Sequence, residues 1–297
     1  MNKTQTISIT GGTGHLGHCL LLKLLDQKYR VKALYNRQAP LLKHPNLTWI
    51  KGNITQANTF KEFLKDSDAL IHSAGLISIG DQSAKLVYQV NVVGTEHLIK
   101  ACLEYQVKMV YISSCTAVKE TLAHEVFKED RPYKTQNDFS YDYTKAMAEQ
   151  KVITAIKENK LSACILRPTS IIGPPDDRPS PFGKTILDLA AYKMPIVTSG
   201  GYNLVDVRDV SQTIINSLDK KLAGEVYLLS GSYVTIKEIA KIANPTKFFF
   251  KISIDLLLFL LPLIKWYDKL FGMPWPLSKE SLMTLKMAPV QMDHSKA

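Results

Sequence analysis

Residues 10–17 read Thr-Gly-Gly-Thr-Gly-His-Leu-Gly, "TGGTGHLG", and their meaning depends on what flanks them. Before them runs a short β-branched stretch, "TISIT" (6–10). After them, residues 15–27 carry apolar side chains at helical spacing. A glycine triplet alone is a weak signal. Between the first strand and the first helix of a chain it has a mechanical reading. Backbone N–H groups and the positive end of a helix then face a pyrophosphate with no Cβ in the way. Gly11 makes the turn, Gly14 lets the backbone approach the phosphates, and Gly17 lets the helix lie against the strand. Thr13, His15 and Leu16 complete a loop expected to hold a dinucleotide.

Working outward, the first half of the chain alternates. β-Branched runs at 6–10, 30–35, 47–52, 68–74, 108–114 and 162–168 are separated by helical patterns at 15–27, about 56–65, 83–105 and 140–158. Near-continuous apolar strands between helices predict a parallel sheet covered on both faces. The fold class is therefore α/β, a doubly wound parallel sheet of the NAD(P)-binding Rossmann type, with loops gathered at the strand C-termini. After residue 168 the rhythm loosens into a Pro-rich loop, "IIGPPDDRPSPFG", a late strand, "VYLLSG", and a short amphipathic helix, "VTIKEIAKI". The expected organisation is a dinucleotide-binding domain over 1–168. Residues 169–297 would form a smaller, mainly substrate-binding lobe, with some elements returning to the main sheet.

Composition narrows the class. The 297 residues are 45% hydrophobic and 22% charged, an ordinary globular balance with ample core. The N-terminus lacks an apolar core region and a cleavage site, and the four cysteines form no C-x-x-C pair, so a cytoplasmic protein with reduced thiols is expected. The seven histidines show no metal-ligand spacing, and no metal is expected. A net charge of +10 raises the question of nucleic acid, but the lysines are scattered without a basic run, so the expected partner is a small-molecule substrate. The run "LLLFLLPLI" (256–264) is too short to span a bilayer and contains Pro262. It reads as a cap over an apolar pocket, with weak interfacial association as the alternative. Monomer and homodimer both stay open.

Two further stretches bear on chemistry. The second strand ends "ALYNR", offering Asn36 and Arg37 where a strong NAD site would carry a carboxylate for the ribose. Arg37 can pair with a 2′-phosphate, so NADP(H) is favoured and NAD(H) is the alternative. In "YDYTK" (141–145), Tyr141 has a lysine four places on, Lys145, on the same helical face, whereas Tyr143 has Met147 there.

Taken in order, "TGGTGHLG", "LIHSAG" (70–75), "NVVGT" (91–95), "VYISS" (110–114), "YDYTK", "LRPTSIIGP" (166–174) and "VDVRDV" (205–210) give a chain that resembles the extended short-chain dehydrogenase/reductases. The branch it resembles contains dihydroflavonol reductases and 3β-hydroxysteroid dehydrogenases. The resemblance implies an NAD(P)-dependent oxidoreductase with a Ser–Tyr–Lys set: Ser114, Tyr141 and Lys145. A lysine ammonium beside the phenol is expected to lower its pKa from about 10 so that Tyr141 exchanges a proton with the substrate oxygen. In another alignment the hydroxyl position falls on Cys115. Asn91 is expected to support Lys145 through water or to lie on a helix surface. The resemblance also places Asn53 and Ile54 near adenine, where relatives carry an aspartate in place of Asn53. Ser73, Ala74 and Gly75 would lie in the cradle, and Pro168 and Thr169 would line the nicotinamide side by backbone contacts. It further implies that "DHSKA" (293–297) starts a helix in longer relatives, and a frayed tail is expected here.

Two alternatives remain. A sugar-nucleotide epimerase or dehydratase would carry an arginine for the diphosphate where this chain has Tyr202. A non-catalytic dinucleotide sensor would commonly lack the Tyr–Lys pair.

Overall fold

A computed structural model describes residues 5–37, 40–77, 83–121, 125–219, 222–271 and 278–297. Its centre is a seven-stranded parallel sheet. The strands are β1 (Thr6–Thr10), β2 (Arg30–Tyr35), β3 (Leu47–Lys51), β4 (Ala69–His72), β5 (Lys108–Ile112), β6 (Ala163–Pro168) and, further along the chain, β10 (Val226–Leu229). Their order is β10-β6-β5-β4-β1-β2-β3. The direction of winding reverses between β1 and β4, where a crevice opens at the strand ends. The glycine loop after β1 and residues 73–75 after β4 form its two lips.

Helices cover both faces, and the inner strands are accordingly largely apolar: Ile7, Ile9, Leu70, Ile71 and Ile165 are fully buried. α1 (His15–Asp26) and α7 (Val207–Asp219) pack on one face through Leu20, Leu21, Leu24, Ile214 and Leu218. α2 (Phe60–Leu64), α4 (Gly94–Tyr105) and α5 (Ser140–Asn159) pack on the other through Phe63, Leu98, Ala148 and Val152. The pattern expected as one helix over 83–105 is broken. α3 (Ala84–Tyr88) passes through a π-helical turn, Gln89–Val93, before α4 begins. In that turn the Asn91 side chain leaves the helix to bind the backbone of Leu76, with Nδ2 donating to its carbonyl at 3.0 Å and Oδ1 accepting from its N–H at 2.7 Å.

The remaining elements are β7 (Ser170–Ile172), α6 (Pro181–Ala190), β8 (Ile196–Thr198), β9 (Gly201–Asp206), β11 (Ser232–Thr235), α8 (Ile236–Ala243), β12 (Phe250–Ile252), α9 (Ile254–Phe271) and α10 (Lys279–Met287). They form two small sheets, β11-β9-β7 and β12-β8, around a second core that includes Leu189, Val197, Ile239, Phe249, Ile254 and Leu282. Among the described residues no helix is long and apolar enough to cross a membrane.

The tail differs from expectation. Residues after α10 are not frayed: Asp293 N–H donates to Phe127 O at 2.9 Å, His294 shares a hydrogen bond with Ser230 Oγ at 2.7 Å, and Lys296 Nζ donates to Val226 O at 2.9 Å. The tail is held by backbone and side-chain groups of β10 and the segment around Phe127, which sequence order does not announce.

Candidate active site

The glycine loop is tight on the inside and open on the outside. Gly11 has φ +78°, and a Cβ on it would stand 2.7 Å from the Ala74 nitrogen. A Cβ on Gly17 would stand 2.1 Å from the Gly11 carbonyl oxygen, so neither position admits a side chain. On Gly14 a Cβ would meet only that same carbonyl oxygen, at 3.4 Å, leaving its outer side clear. Gly14 also caps α1 without any side-chain hydrogen bond to the first turn, and the first turn carries no acidic residue. The N–H groups of His15, Leu16 and Gly17 therefore face the crevice as an uncompensated positive helix end, which fits a pyrophosphate. His15 is anchored by its Nε2 at 2.6 Å from the Gly173 carbonyl. Thr13 is exposed on the loop.

The other lip is fastened to the first strand. Ser73 Oγ donates to Thr10 O at 2.7 Å, and the Ala74 N–H reaches Thr10 Oγ1 at 3.3 Å. Behind these lies a group that motif reading passed over. The fully buried His72 bonds Thr10 Oγ1 through Nδ1 at 2.8 Å and Thr95 Oγ1 through Nε2 at 2.9 Å. Burial, with Lys145 adding to it, pushes His72 down to about 3, so the ring is neutral. Because Thr95 Oγ1 donates to Asn91 O at 2.6 Å, His72 Nε2 carries the proton and Nδ1 accepts from Thr10. A directed chain of hydrogen bonds thus joins the cradle to the π-helical turn. Its signal was present in "LIHSAG", where a histidine ends an otherwise apolar strand.

The far end of the cradle is more open. Asn36 and Arg37 are exposed just beyond β2. Asn36 lines a groove with Gly52, Asn53, Gln56, Asn58, Thr59, Lys51, Lys61 and Lys65. Asn53 Oδ1 accepts from the Thr55 N–H at 3.0 Å, and Ile54 is buried beside it.

Ser114 and Tyr141 meet just past the end of β5, and Lys145, one turn further along α5, reaches the last carbonyl of that strand. Ser114 Oγ lies 3.0 Å from Thr116 Oγ1 and within hydrogen-bonding reach of the Tyr141 phenol. Its neighbours are otherwise engaged. Ser113 Oγ donates to Glu149 Oε2 at 2.5 Å, inside a buried network in which Arg167 Nε holds both Glu149 oxygens at 3.1 Å. Burial pushes the Cys115 thiol up to about 12.

The electrostatics depart from expectation. The Tyr141 phenol is raised, not lowered: burial is the main cause, the Asp142 carboxylate adds to it, and the Ser114 hydrogen bond offsets part. Lys145 is buried, donates to Ile112 O at 2.7 Å and stands 4.9 Å from the centre of the Tyr111 ring. Burial lowers it to about 8, with Glu149 opposing. A Cβ on Gly75 would stand 4.0 Å from Lys145 Nζ, which places the amine at the rim of the cradle. Asn91 Nδ2 reaches Thr144 Oγ1, at 3.1 Å, one residue before Lys145.

Next to this trio opens a pocket lined by Thr116, Phe139, Asp142, Thr169, Tyr202 and Met287, among others. Thr169 Oγ1 is buried in its wall without a hydrogen-bond partner, while the Thr169 N–H is committed to Leu229 O at 2.9 Å. Pro168 precedes it, buried at the end of β6. Burial lifts Asp142 to about 6. The described residues lining the pocket include the carboxylates Glu120 and Asp142 and no lysine or arginine. α9 was expected to cap this space, and none of its described residues lines it. Residues 283–289 of the α10 region do.

A switch-point crevice with a phosphate-ready helix end, beside a Tyr–Lys pair, defines a dinucleotide-dependent enzyme of the Rossmann class. The chain belongs to the NAD dependent epimerase/dehydratase family, whose model matches residues 7–230. It is 33% identical over 241 residues to sterol demethylase protein B of Methylococcus capsulatus, covering 79% of this chain and 72% of that protein. It is 34% identical over 188 residues to the mouse 3 beta-hydroxysteroid dehydrogenase type 7, covering 57% of this chain but 51% of that protein, so the chain spans about half that relative's length. The solved structure of gox2253 superimposes with a TM-score of 0.83 at 27% identity, over 99% of this chain and 91% of that one.

Proposed function

We propose that this enzyme transfers hydride between NADP(H) and a carbonyl or secondary alcohol on a small, uncharged, largely apolar substrate. The observation that carries the substrate class is the pocket wall. Methionines, aromatics and two carboxylates line it, and among its described residues no cation is present to meet a diphosphate. Tyr202, at the position where sugar-nucleotide enzymes would need an arginine, instead packs edge-on against Phe182 at 4.9 Å. The names of the sterol and steroid relatives agree with an apolar substrate. Residues 1–168 would hold the dinucleotide and 169–297 would supply most of the substrate side.

In this reading Gly11, Thr13, Gly14, His15, Leu16 and Gly17 hold the pyrophosphate through N–H groups and the α1 terminus. Asn53 and Ile54 lie along adenine, Asn36 and Arg37 at its ribose, and Ser73, Ala74 and Gly75 along the opposite lip. Pro168 and the unpartnered hydroxyl of Thr169 meet the nicotinamide side. The bound nicotinamide supplies the hydride donor or acceptor. Ser114 orients the substrate oxygen by hydrogen bonding, and Tyr141 gives that oxygen its proton in reduction or removes it in oxidation. Lys145, held by the Ile112 carbonyl, anchors the nicotinamide ribose and places positive charge behind the phenol. A raised phenol pKa keeps Tyr141 protonated at neutral pH, which suits the reductive direction.

Purified protein assayed with NADPH and NADH against aldehydes, steroidal and simple ketones, secondary alcohols and sugar nucleotides tests this directly. Turnover of apolar carbonyls or alcohols is expected. Turnover confined to sugar nucleotides would overturn the substrate class.

A further inference from the structure

α9 is apolar on two sides. Its inner side, Ile254 and Leu257, is buried in the second core. On the other side stand Leu256, Phe259, Leu263 and Trp266, spaced three, four and three residues apart on one helical face. They are 50%, 78%, 62% and 64% exposed. A helix at a protein surface normally turns charged and polar residues outward, and a contiguous apolar face marks an interaction site. Just ahead of α9, Phe248 and Phe250 are also exposed, with rings in edge contact at 5.0 Å. β12 carries the feature onto β8, where Phe250 is in register with the exposed Ile196.

We propose that this outer face of α9, with Phe248 and Phe250, docks on the surface of an anionic phospholipid bilayer. The charges around it fit that partner. Between residues 237 and 255 the chain carries Lys237, Lys241, Lys247 and Lys251 against Glu238 and Asp255. Both carboxylates are already used: Glu238 accepts from Thr235 in the cap of α8, and Asp255 is paired with Lys286. The result is an apolar face rimmed by positive charge, with Trp266 and Tyr267 together at one end of it, the composition of a segment that lies in a headgroup layer. A second copy of the chain is a poorer occupant, because a twofold contact on this face would bring two lysine rims together. Membrane-plane attachment also agrees with the length of the helix, since no described helix is long and apolar enough to cross. The proposal does not rest on the roles given to Tyr141 or the cofactor.

Co-flotation of the full chain with vesicles tests it. Vesicles of phosphatidylcholine with phosphatidylglycerol are expected to carry the protein, those of phosphatidylcholine alone to carry less, and added salt to release it. Phe259→Ser with Trp266→Ser should cut binding about tenfold or more while leaving the melting temperature near wild type, because both side chains are exposed. Lys247→Glu with Lys251→Glu should remove the preference for anionic vesicles. In the unsubstituted protein, lipid chains brominated near the headgroup should quench tryptophan emission, and Trp266→Phe should reduce that quenching. Absence of flotation would overturn the proposal, as would flotation or quenching unchanged by these substitutions. A dimer in sedimentation equilibrium that the Phe259 and Trp266 substitutions dissolve would assign the face to a second copy instead.

Discussion

Tyr141 and Asp142 are neighbours in sequence with opposed demands. The phenol must lose its proton to act as a base in alcohol oxidation, yet the carboxylate beside it, itself lifted to about 6 by burial, disfavours the phenolate. In the oxidative direction activity should rise with pH as Tyr141 ionises. Removing the negative charge lowers the phenol's pKa, so Asp142→Asn is expected to move that rising limb of kcat/KM to lower pH. A limb unmoved, or moved to higher pH, would contradict the arrangement. The tyrosine, the lysine and their spacing were legible in the sequence, but the direction of the phenol's shift was not. Helical spacing puts Lys145 on the same face as Tyr141; it does not disclose that the amine is drawn to the Ile112 carbonyl or how much water burial removes. The same limit applied at Thr169, whose backbone N–H is taken up by the carbonyl of Leu229 far along the chain.

At the scale of elements, the β1–loop–α1 unit makes separable demands on its glycines. Gly17→Ala would force a Cβ to 2.1 Å from the Gly11 carbonyl, so it should destabilise the protein by about 1–3 kcal/mol in thermal or denaturant unfolding. Gly14 has φ −86° and ψ 173°, which alanine adopts freely, and its outer side is open. Gly14→Ala should therefore fold normally and lose affinity for the dinucleotide, measurable by fluorescence titration of NADPH. Equal cofactor binding by that variant would remove Gly14 from the pyrophosphate contact. At the end of β2, the exposed Arg37 is expected to give NADPH a preference of roughly fivefold, the worth of an exposed pair of about 1 kcal/mol, lost in Arg37→Ala. This unit was readable in advance because strand, glycines and helix are contiguous. The π-helical turn was not, since it answers to the Asn91–Leu76 contact, which a helical pattern over 83–105 conceals.

For the molecule as a whole, the parallel sheet follows from six β-branched runs and the four helical patterns among them, and β10, far along the chain, joins it beside β6. The pocket was not legible in the sequence, because its wall is assembled from the segment after β5 and from α5, β7, β9 and α10, which are remote in sequence. The docked tail touches that assembly through the Phe127 carbonyl, which accepts from the Asp293 N–H. Hydrogen exchange should show the Asp293 amide protected relative to Lys296, whose amide accounts for no contact with the sheet in this structure. Uniformly fast exchange across 282–297 would contradict the docking. The central claim, that this fold presents one particular tyrosine to a substrate oxygen, is tested most directly by comparing turnover of Tyr141→Phe and Tyr143→Phe with NADPH binding measured in parallel. The account predicts a fall in kcat of roughly 10²-fold or more for Tyr141→Phe with cofactor affinity nearly unchanged, and near-normal turnover for Tyr143→Phe. Near-normal turnover by Tyr141→Phe would contradict it.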